Sequence, residues 1–574
     1  MARAFMGSRA ALLMLLVCGI AGNAFGQTAP AKKSPRRDLQ NRWEYFPNLG
    51  ADFTPGAAED PRLPLEPEMI RAPDLQTRIY TMQRIVRESA EAPSNRAELY
   101  QAAIEQLTED VGGLTSRQAL LASVSAARAL ASNKEELEKV YAIVQETPFA
   151  AETVERDLVK MGSTVALPAW RERVQQGTTK LGLLLTALDG LSAGGDDSDT
   201  AALEAIVMDP AALLPIQLAA SRALGKCAQS GLEGTARTLL ATARPQKELL
   251  AANMLLSHSS SDAAAVAEQI LASGNAQAEA VAYKTIARID PERGRVLAKD
   301  LVKHPESSMR NTAIDVLNRM NDRESVSLMA RALDDENLNV RQKVRDYLIA
   351  KVKVDALKPL INQVIGFYIN GEKWQGVEQA INLAVALKQY QRAPKLVELL
   401  EHPRSEVSIR AAWGLQVLTR LPEDILAAIQ QHCEITTQKL LDRKPVSFEE
   451  ELRIAFCFEA LGLNQYKAAN DMLMLYVPKK DQQMHALTRT SAIYALGLIW
   501  KGRENPSLMR QLAGRMNDIG LSPEPGGLRY TAALSLGLIG DESILDDLEA
   551  ANSPEPDPIG IAARWAINYI NNKK

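Results

Sequence analysis

The stretch 303–351 reads KHPESSMRNTAIDVLNRMNDRESVSLMARALDDENLNVRQKVRDYLIAK and holds two copies of one unit. In each copy a polar turn leads to an arginine, Arg310 and then Arg341, and an apolar helix face follows. The two arginines are 31 residues apart in the chain. A helical unit that recurs at this spacing predicts an all-α superhelix, a solenoid of stacked antiparallel helix pairs.

The unit recurs on both sides of this stretch. A polar residue near the start of a helix marks five copies, which are Gln217, Arg310, Arg341, Arg489 and Arg529. Three positions later each copy has a small or β-branched residue: Ala220, Ala313, Val344, Ala492 and Ala532. Seven positions later each has a leucine: Leu224, Leu317, Leu348, Leu496 and Leu536. Offsets of three and seven lie on one helix face, so these residues are predicted to form the core between layers.

The sequence indicates two further features of this unit, a looser sixth copy and a glycine after the leucine. Arg410 is a looser copy, with Trp413 and Val417 at the same two offsets. In three copies a glycine follows the leucine directly, namely Gly225, Gly497 and Gly537. A glycine can end a helix in the left-handed conformation, so we expect a helix to stop at each of them.

Three segments carry a family resemblance: MDPAALLPIQLAASRALGKC (208–227), RTSAIYALGLI (489–499) and LRYTAALSLGLIGDESILDDL (528–548). They resemble HEAT repeats, and most closely the short HEAT-like units that also occur in phycobilisome lyases. The resemblance covers about 201–572 and implies a HEAT-like solenoid. The stretches 450–476 and 372–400 look as much like TPR units, so an array that mixes the two kinds of unit stays open.

The N-terminal segment predicts export. Arg3 and Arg9 precede an apolar run at 10–20, and small residues at 24 and 26 suit cleavage before Gln27. We therefore expect a signal peptide at 1–26, with cleavage after Gly26, and a secreted or periplasmic chain. An uncleaved anchor is one alternative. A lipoprotein at Cys18 is another, although Val17 stands where such signals have a small residue.

The rest of the chain divides by composition. Residues 27–75 are Pro-rich and predict a flexible leader without regular helix. Residues 76–190 predict degenerate N-terminal helical repeats, 191–200 a Gly/Asp loop, and 201–572 the HEAT-like array. The last helix, with Trp565 and Tyr569 one turn apart, is predicted to cap that array.

The sequence offers little catalytic or metal chemistry. His304 and His402 each begin an H-P-x-S turn, and we interpret them as turn residues. Asp196, Asp197 and Asp199 lack the full pattern of a calcium loop. Neither HExxH, CxxC, a nucleophile elbow nor a phosphate-binding glycine loop occurs. We therefore predict no catalytic, cofactor-binding or metal-binding residue, and no cofactor.

Three other groups allow two interpretations each. Asp334, Asp335 and Glu336 are more typical of a solvated turn than of an acid/base pair. Trp374 is either an exposed binding aromatic or a side chain packed on the adjacent helix pair. Cys227, Cys433 and Cys457 remain after the signal; we expect buried small side chains, while a Cys433–Cys457 disulfide stays open.

These features predict a non-catalytic scaffold that binds a protein or peptide partner on its concave face. The net charge is −4, or −6 without Arg3 and Arg9, which gives no electrostatic argument for nucleic acid. No stretch after the N-terminal segment is long and apolar enough to predict a stable membrane span. One alternative is a structural envelope component that associates with itself. The other, implied only by the resemblance, is a lyase-like or chaperone-like protein.

Overall fold

The computed structural model describes residues 65, 67–72, 75–88, 95–113, 116–177, 180–479, 484–520, 522–552 and 558–572. These residues form thirty α-helices and no strand. Their contacts define two compact units, residues 62–432 and residues 433–574, and the boundary falls inside one helix. None of the described helices is long and apolar enough to cross a membrane.

The first unit contains twenty-two helices in an almost unbroken succession. They are α1 Pro67–Ile70, α2 Leu75–Glu88, α3 Arg96–Gly112, α4 Arg117–Leu130, α5 Lys134–Val144, α6 Pro148–Lys160, α7 Leu167–Gln176, α8 Leu181–Gly194, α9 Thr200–Met208, α10 Leu214–Cys227, α11 Glu233–Leu240, α12 Pro245–Leu255, α13 Ser261–Leu271, α14 Ala276–Ile289, α15 Pro291–Leu301, α16 Ser307–Arg319, α17 Arg323–Ala330, α18 Leu338–Lys351, α19 Lys358–Ile369, α20 Trp374–Ala386, α21 Ala393–Glu398 and α22 Ser405–Val417. Helix α23, Glu423–Leu441, contains the boundary.

The second unit continues the same alternation of helices. It contains α24 Phe448–Leu463, α25 Asn470–Met474, α26 Ala486–Ile499, α27 Pro506–Met516, α28 Gly526–Ile539, α29 Leu545–Ala551 and α30 Pro558–Asn571. The last helix packs on α28 and α29, and its Trp565 and Tyr569 rings stack with centroids 5.1 Å apart.

Within each unit the even-numbered helices form one continuous layer. From α4 to α22 every even helix packs against the next even helix, and the same holds from α24 to α30. The odd helices fill a second layer, in which successive members touch less extensively. The predicted all-α solenoid of antiparallel helix pairs is therefore confirmed. Because successive even helices contact each other more extensively than successive odd helices, we infer that the even layer is the inner one within a unit.

The marked polar residue is the fourth residue of its helix in all five copies. Its side chain donates hydrogen bonds to carbonyl oxygens at the end of the preceding helix or in the turn after it, where no helical N–H is available. Gln217 Nε2, for example, donates to the Val207 and Asp209 carbonyls at 3.0 and 2.8 Å. The other acceptors are His304 and Pro305 for Arg310, Asp335 and Glu336 for Arg341, Tyr476 and Val477 for Arg489, and Met516 for Arg529.

The assignment of Arg410 as a copy of this residue was wrong by two positions. The fourth residue of α22 is Ser408, and the core positions after it are Ala411 and Leu415, both fully buried. Val417, which the sequence placed in the core, is 40% exposed. The buried positions of the helix, and not the presence of an arginine, therefore show where the repeat unit begins.

The glycines also serve a purpose other than the predicted one. Gly225, Gly497 and Gly537 lie inside α10, α26 and α28, and none has the positive φ of a left-handed cap. A Cβ on Gly497 would lie 2.6 Å from Ser535 Oγ, and one on Gly537 would lie 2.8 Å from Ala566 Cα. Glycine is needed here because the next even helix passes too close for a side chain.

Two predicted irregular segments contain helix. Helix α1 lies inside 27–75, where the prolines predicted none, and its Ile70 is fully buried. Asn95 Nδ2 donates to the Leu65 carbonyl at 2.7 Å and ties this segment to the start of α3. Helix α8 runs to Gly194, so it occupies part of the predicted loop 191–200. Residues 1–64, which carry the predicted signal peptide and most of the leader, lie outside the described residues.

Candidate binding face

The even helices of the first unit carry a row of side chains on the side opposite their core, and eight of the ten members are partly or fully exposed, whereas Asn253 and Asn382 are buried. Each comes from the ninth residue of an even helix, and the ten members are Ser125, Arg156, Asp189, Arg222, Asn253, Lys284, Asp315, Asp346, Asn382 and Trp413. Nine of the ten are polar or charged. We call this set the position-nine row.

Helix geometry explains why this position faces away from the core. Residues four, seven and eleven of these helices point to one side, and at 3.6 residues per turn residue nine points about 165° away from them. In α16 the three core residues are Arg310, Ala313 and Leu317, and the ninth is Asp315. Because the core positions are the same in every even helix, position nine recurs on the opposite side once per helix pair.

Neighbouring members of the row interact through their charges. Arg222 NH2 lies 3.8 Å from Asp189 Oδ1, which joins α10 to α8. Asp315 lies 3.0 Å from the Nζ atom of Lys343 on α18, and it accepts a hydrogen bond from the Tyr347 hydroxyl at 2.7 Å. The exposed part of the row thus carries mainly cations and carboxylates.

The end of the row near α20 and α22 is aromatic and cationic. The ring of Trp374 lies between two guanidinium groups, with Arg341 at 5.4 Å and Arg404 at 5.1 Å from its centroid. The Arg410 guanidinium lies 5.0 Å from the centroid of Trp413. Trp374 is half-buried, and its contacts with Arg341 and Arg404 favour the interpretation as a side chain packed on the adjacent helix pair.

The second unit does not continue the row. The ninth residues of α24, α26 and α28 are Phe456, Tyr494 and Leu534, and each is buried. Burial raises the pKa of the Tyr494 hydroxyl well above its usual value. In the part of the chain that the structure describes, the polar inner row therefore belongs to the first unit.

The histidines singled out in the sequence are turn residues, as predicted. His304 Nδ1 accepts the Glu306 backbone N–H at 3.1 Å, and His402 Nδ1 accepts the Arg404 N–H at the same distance. These contacts fix the start of α16 and α22. Among the described residues no group of three or more His, Cys, Asp or Glu side chains is arranged to hold a metal ion.

The acidic cluster at 196–199 forms ion pairs with an arginine. Arg171 donates to Asp196 at 2.7 Å and to Asp199 at 2.9 and 3.0 Å. Hydrogen bonds from Ser198 and Arg171 lower the pKa of the Asp196 carboxyl to about 2. Asp196 and Asp199, two of the aspartates that could suggest a calcium site, are therefore paired with Arg171 on α7.

The turn at 334–336 differs from its prediction as a solvated turn. Asp335 accepts two hydrogen bonds from the Arg310 guanidinium, at 2.7 and 2.8 Å, and its side chain is only 7% exposed. Asp334 lies 3.1 Å from the Nζ atom of Lys373. Asp335 thus joins one helix pair to the next, because the arginine of one unit reaches the turn of the following unit.

The cysteines have the environment that the sequence predicted. Cys227, Cys433 and Cys457 are all buried and carry free thiols in this structure. Burial and a hydrogen bond with Cys457 raise the pKa of the Cys433 thiol well above its usual value. Buried thiols of this kind are shielded from reagents in solvent.

Sequence reasoning missed the position-nine row, although a signal for it exists. Arg222, Asp315 and Asp346 each follow a marked residue by five positions. Between Arg222 and Asp346 the row repeats every 31 residues, and Asn253 and Lys284 fill the two steps between Arg222 and Asp315. In α12 and α14 the fourth residue is Glu248 or Glu279, so an alignment on arginine and glutamine passed over these two units.

Neither a protein-family model nor a curated protein matches this sequence. Among solved structures, Kap95p with RanGDP is similar, with a TM-score of 0.47 and 13% identity over 89% of this chain and 72% of that one. The karyopherin Kap121p bound to the SUMO protease Ulp1p gives a TM-score of 0.42 and 12% identity over 88% of this chain. Kap121p bound to Ste12p gives 0.43 and 12% over 88%. This chain spans 56% of the Kap121p chains. The fold itself follows from the packing of this chain's own helices, which form an all-α, HEAT-like solenoid.

Proposed function

We propose that this protein is a non-catalytic, exported scaffold that binds an extended protein segment along its position-nine row. The observation that carries the proposal is the row itself: ten consecutive even helices present their ninth residue on the inner side of the first unit. Eight of the ten side chains are partly or fully exposed, and only Asn253 and Asn382 are buried. A surface of this kind suits recognition through many small contacts.

The dimensions of the row fit an extended chain. Packed helices lie about 8–10 Å apart, and an extended peptide advances about 3.3 Å per residue. Each step of the row therefore corresponds to about three residues of a bound segment. The exposed charged members of the row select the side chains of that segment.

Site-specific photo-cross-linking tests this function. A photoreactive amino acid replaces Asp346, whose side chain is 52% exposed in the row, in cells that make the protein naturally. The matched control replaces Arg293 on α15, in the odd layer, whose side chain is 47% exposed. We expect one partner protein to be cross-linked from position 346 and not from position 293. Equal products from both positions, or the protein cross-linked only to itself, would overturn the proposal.

The export part of this proposal has its own support and its own test. It rests on the charged, apolar and small-residue pattern of residues 1–26. Cell fractionation followed by N-terminal sequencing of the protein is expected to give Gln27 as the first residue outside the cytoplasm. Full-length protein that remains in the cytoplasm would contradict export and leave the binding face unaffected.

A further inference from the structure

The turns that follow the even helices lie at one edge of the first unit, and their charge changes along it. Neighbouring helices alternate in direction, so the even helices are parallel and their C-terminal ends lie at the same edge. The first seven of these turns, after α4 to α16, are 131–133, 161–166, 195–199, 228–232, 256–260, 290 and 320–322. They contain five aspartates and neither lysine nor arginine. These seven turns are therefore acidic as a set.

The last three turns of this edge have the opposite charge. They are 352–357, 387–392 and 418–422, after α18, α20 and α22. Their cations are Lys353, Lys388, Arg392 and Arg420. The carboxylate in these turns is Asp355, which lies 2.6 Å from the Nζ atom of Lys358 at the start of α19. Among the ten turns after α4 to α22, lysine and arginine thus occur only in three consecutive ones.

Each of the three turns combines an exposed cation with an exposed apolar side chain. The cations are Lys353, Lys388 and Arg420, one in each turn. The apolar side chains are Val354, Tyr390 and Val417, the last being the final residue of α22, and they are between 37 and 41% exposed. In each turn the two residues are at most three positions apart in the chain. We call these six residues the basic edge.

The cations of the basic edge are unpaired within the part of the chain that the structure describes. Lys353, Lys388 and Arg420 form neither an ion pair nor a side-chain hydrogen bond there. Arg392, in the middle turn, lies over α19: its Nη2 is 3.2 Å from the place that a Cβ on Gly366 would take, and its buried Nε has no hydrogen-bond partner among the described residues. The positive charge of these turns is therefore available to an anionic partner.

The backbone at two of these cations is one that favours glycine. Lys388 and Arg420 have φ values of 52° and 64°, just after the C-terminal ends of α20 and α22. Glycine usually ends a helix in this left-handed conformation, because it has no Cβ to strain. A lysine and an arginine at these positions cost stability, so an interaction of their charges explains them better than the turns do.

We propose that the basic edge docks this protein on an anionic lipid bilayer. The three cations pair with the phosphates of anionic lipids, and the apolar side chains enter the boundary between headgroups and acyl chains. Tyr390 suits this boundary, because its ring is apolar and its hydroxyl is polar. The basic edge shares no residue with the position-nine row, so the proposal goes beyond the scaffold function and leaves the row to a protein partner.

The composition of the basic edge favours a bilayer over other polyanions. A nucleic acid pairs with cations through its phosphates, but its backbone offers no apolar contact to Val354 and Val417. An acidic protein surface binds through a well-packed, shape-complementary core, whereas here the apolar side chains come one to a turn. A fluid bilayer accepts separate side chains without shape complementarity and presents many phosphates at once.

Co-sedimentation with lipid vesicles tests the proposal. Protein purified from the cells that make it is titrated with vesicles of phosphatidylglycerol and phosphatidylcholine in equal parts, and with vesicles of phosphatidylcholine alone. We expect phosphatidylglycerol to raise the lipid affinity about tenfold or more, and salt to reverse this gain. Lys388→Gly/Arg420→Gly is expected to lose about 25-fold in affinity for the anionic vesicles, since each cation near an anionic surface contributes about fivefold.

The glycine variant separates the loss of charge from a loss of fold. Because glycine is favoured at both positions, its midpoint of thermal unfolding is expected to equal or exceed that of the wild type. Arg443→Gly is the matched control: Arg443 is also an exposed cation, with a φ of 58°, but it lies in the second unit, outside the basic edge. This control is expected to leave the affinity for the anionic vesicles within about twofold.

A further variant tests the apolar part of the edge. Tyr390→Ser is expected to weaken binding to the anionic vesicles about fivefold, because it removes an apolar ring from the headgroup boundary. Equal affinity for the two kinds of vesicle, or an equal loss in Arg443→Gly and in the double glycine variant, would overturn the proposal. Preference for polyglutamate or a single-stranded oligonucleotide over the anionic vesicles, at equal concentration of charge, would overturn it too. Cross-linking from position 346 reports on the row alone, so either proposal can fail without the other.

Discussion

Both terminal nitrogens of the Arg489 guanidinium donate to the carboxylate of Glu524, each at 2.8 Å, in a pair that is almost fully buried. Arg489 also donates to the Tyr476 and Val477 carbonyls at 3.1 and 3.2 Å. One side chain thus closes the turn before α26 and joins it to the turn before α28. The Arg310–Asp335 pair does the same in the first unit.

Arg489→Ala is expected to destabilise the protein strongly. It removes two of the hydrogen bonds to the buried Glu524 carboxylate, which keeps only the one from Arg515 at 3.1 Å, and it leaves two backbone carbonyls without this donor. Breaking a buried pair costs about 3–5 kcal/mol. The midpoint of urea unfolding measures it. Arg529→Ala is the matched control, because it removes a single charge-assisted hydrogen bond, from Arg529 Nε to the Met516 carbonyl at 2.7 Å, which contributes about 1.5–3 kcal/mol. Equal losses in the two variants would show that the Glu524 pairing contributes little.

Gly537→Ala is expected to destabilise the second unit by about 1–3 kcal/mol, the usual cost of overpacking. Its new methyl group would lie 2.8 Å from Ala566 Cα, on the backbone of α30. The control is Gly514→Ala in α27, where nothing lies within 4 Å of the added atom. That change is expected to raise stability by about 0.5–1 kcal/mol, because alanine favours the helix. Thermal unfolding should therefore shift in opposite directions for the two variants.

Glu233 gives the first unit a pH-dependent stability. Burial opposes its ionisation, but hydrogen bonds from Ser260 and His258 outweigh burial and lower the pKa of the carboxyl to about 2. A pKa below the unfolded value means that the ionised form stabilises the fold above about pH 4.5, and that this contribution is lost as the pH falls toward 2.

Glu233→Gln is therefore expected to unfold at a lower temperature than the wild type at pH 7, by a margin that shrinks between pH 4.5 and pH 2. Charged hydrogen bonds of this kind contribute about 1.5–3 kcal/mol. Glu268→Gln is the control, since its pair with Arg293 is exposed and contributes about 0–1 kcal/mol. A margin for Glu233→Gln that does not change with pH would contradict the assignment.

The thiols are expected to be unreactive in the native protein. Cys227, Cys433 and Cys457 are buried, and burial also raises the pKa of Cys227 to about 11. A thiol reagent should modify none of the three until the protein is unfolded in denaturant, and all three afterwards, because the thiolate is the reacting form. Recovery of only one reactive thiol after unfolding without reductant would reveal a disulfide between two of the others.

The fold was predictable because its core repeats in the sequence. Small residues and leucines at offsets of three and seven recur five times, and the structure buries all ten of them. Glu279 escaped recognition because it bonds the preceding turn as an acceptor, from the Gly274 N–H at 2.7 Å, and not as a donor like the marked arginines. Ser408 escaped because the sequence was aligned on Arg410, two positions later. The glycine contacts could not be foreseen, since they depend on the next helix rather than on the helix's own end.

The binding face was less predictable for a physical reason. Core positions repeat chemically, because apolar burial restricts which residues fit. Solvent-facing positions repeat only in spacing: Arg222, Lys284 and Asp346 share a place in the helix and no common chemistry. The row becomes visible only after the helices have fixed the register.

The opposite orientation of core and row has an evolutionary consequence. In eight of the ten even helices from α4 to α22 the ninth residue is partly or fully exposed, while residues seven and eleven lie on the core side of the helix. A substitution in the row can therefore alter ligand preference with little loss of stability. Surface substitutions usually change the free energy of unfolding by no more than about 0.5 kcal/mol. Such a chain can acquire a new ligand through successive point mutations in the row, one helix at a time, without passing through unstable intermediates.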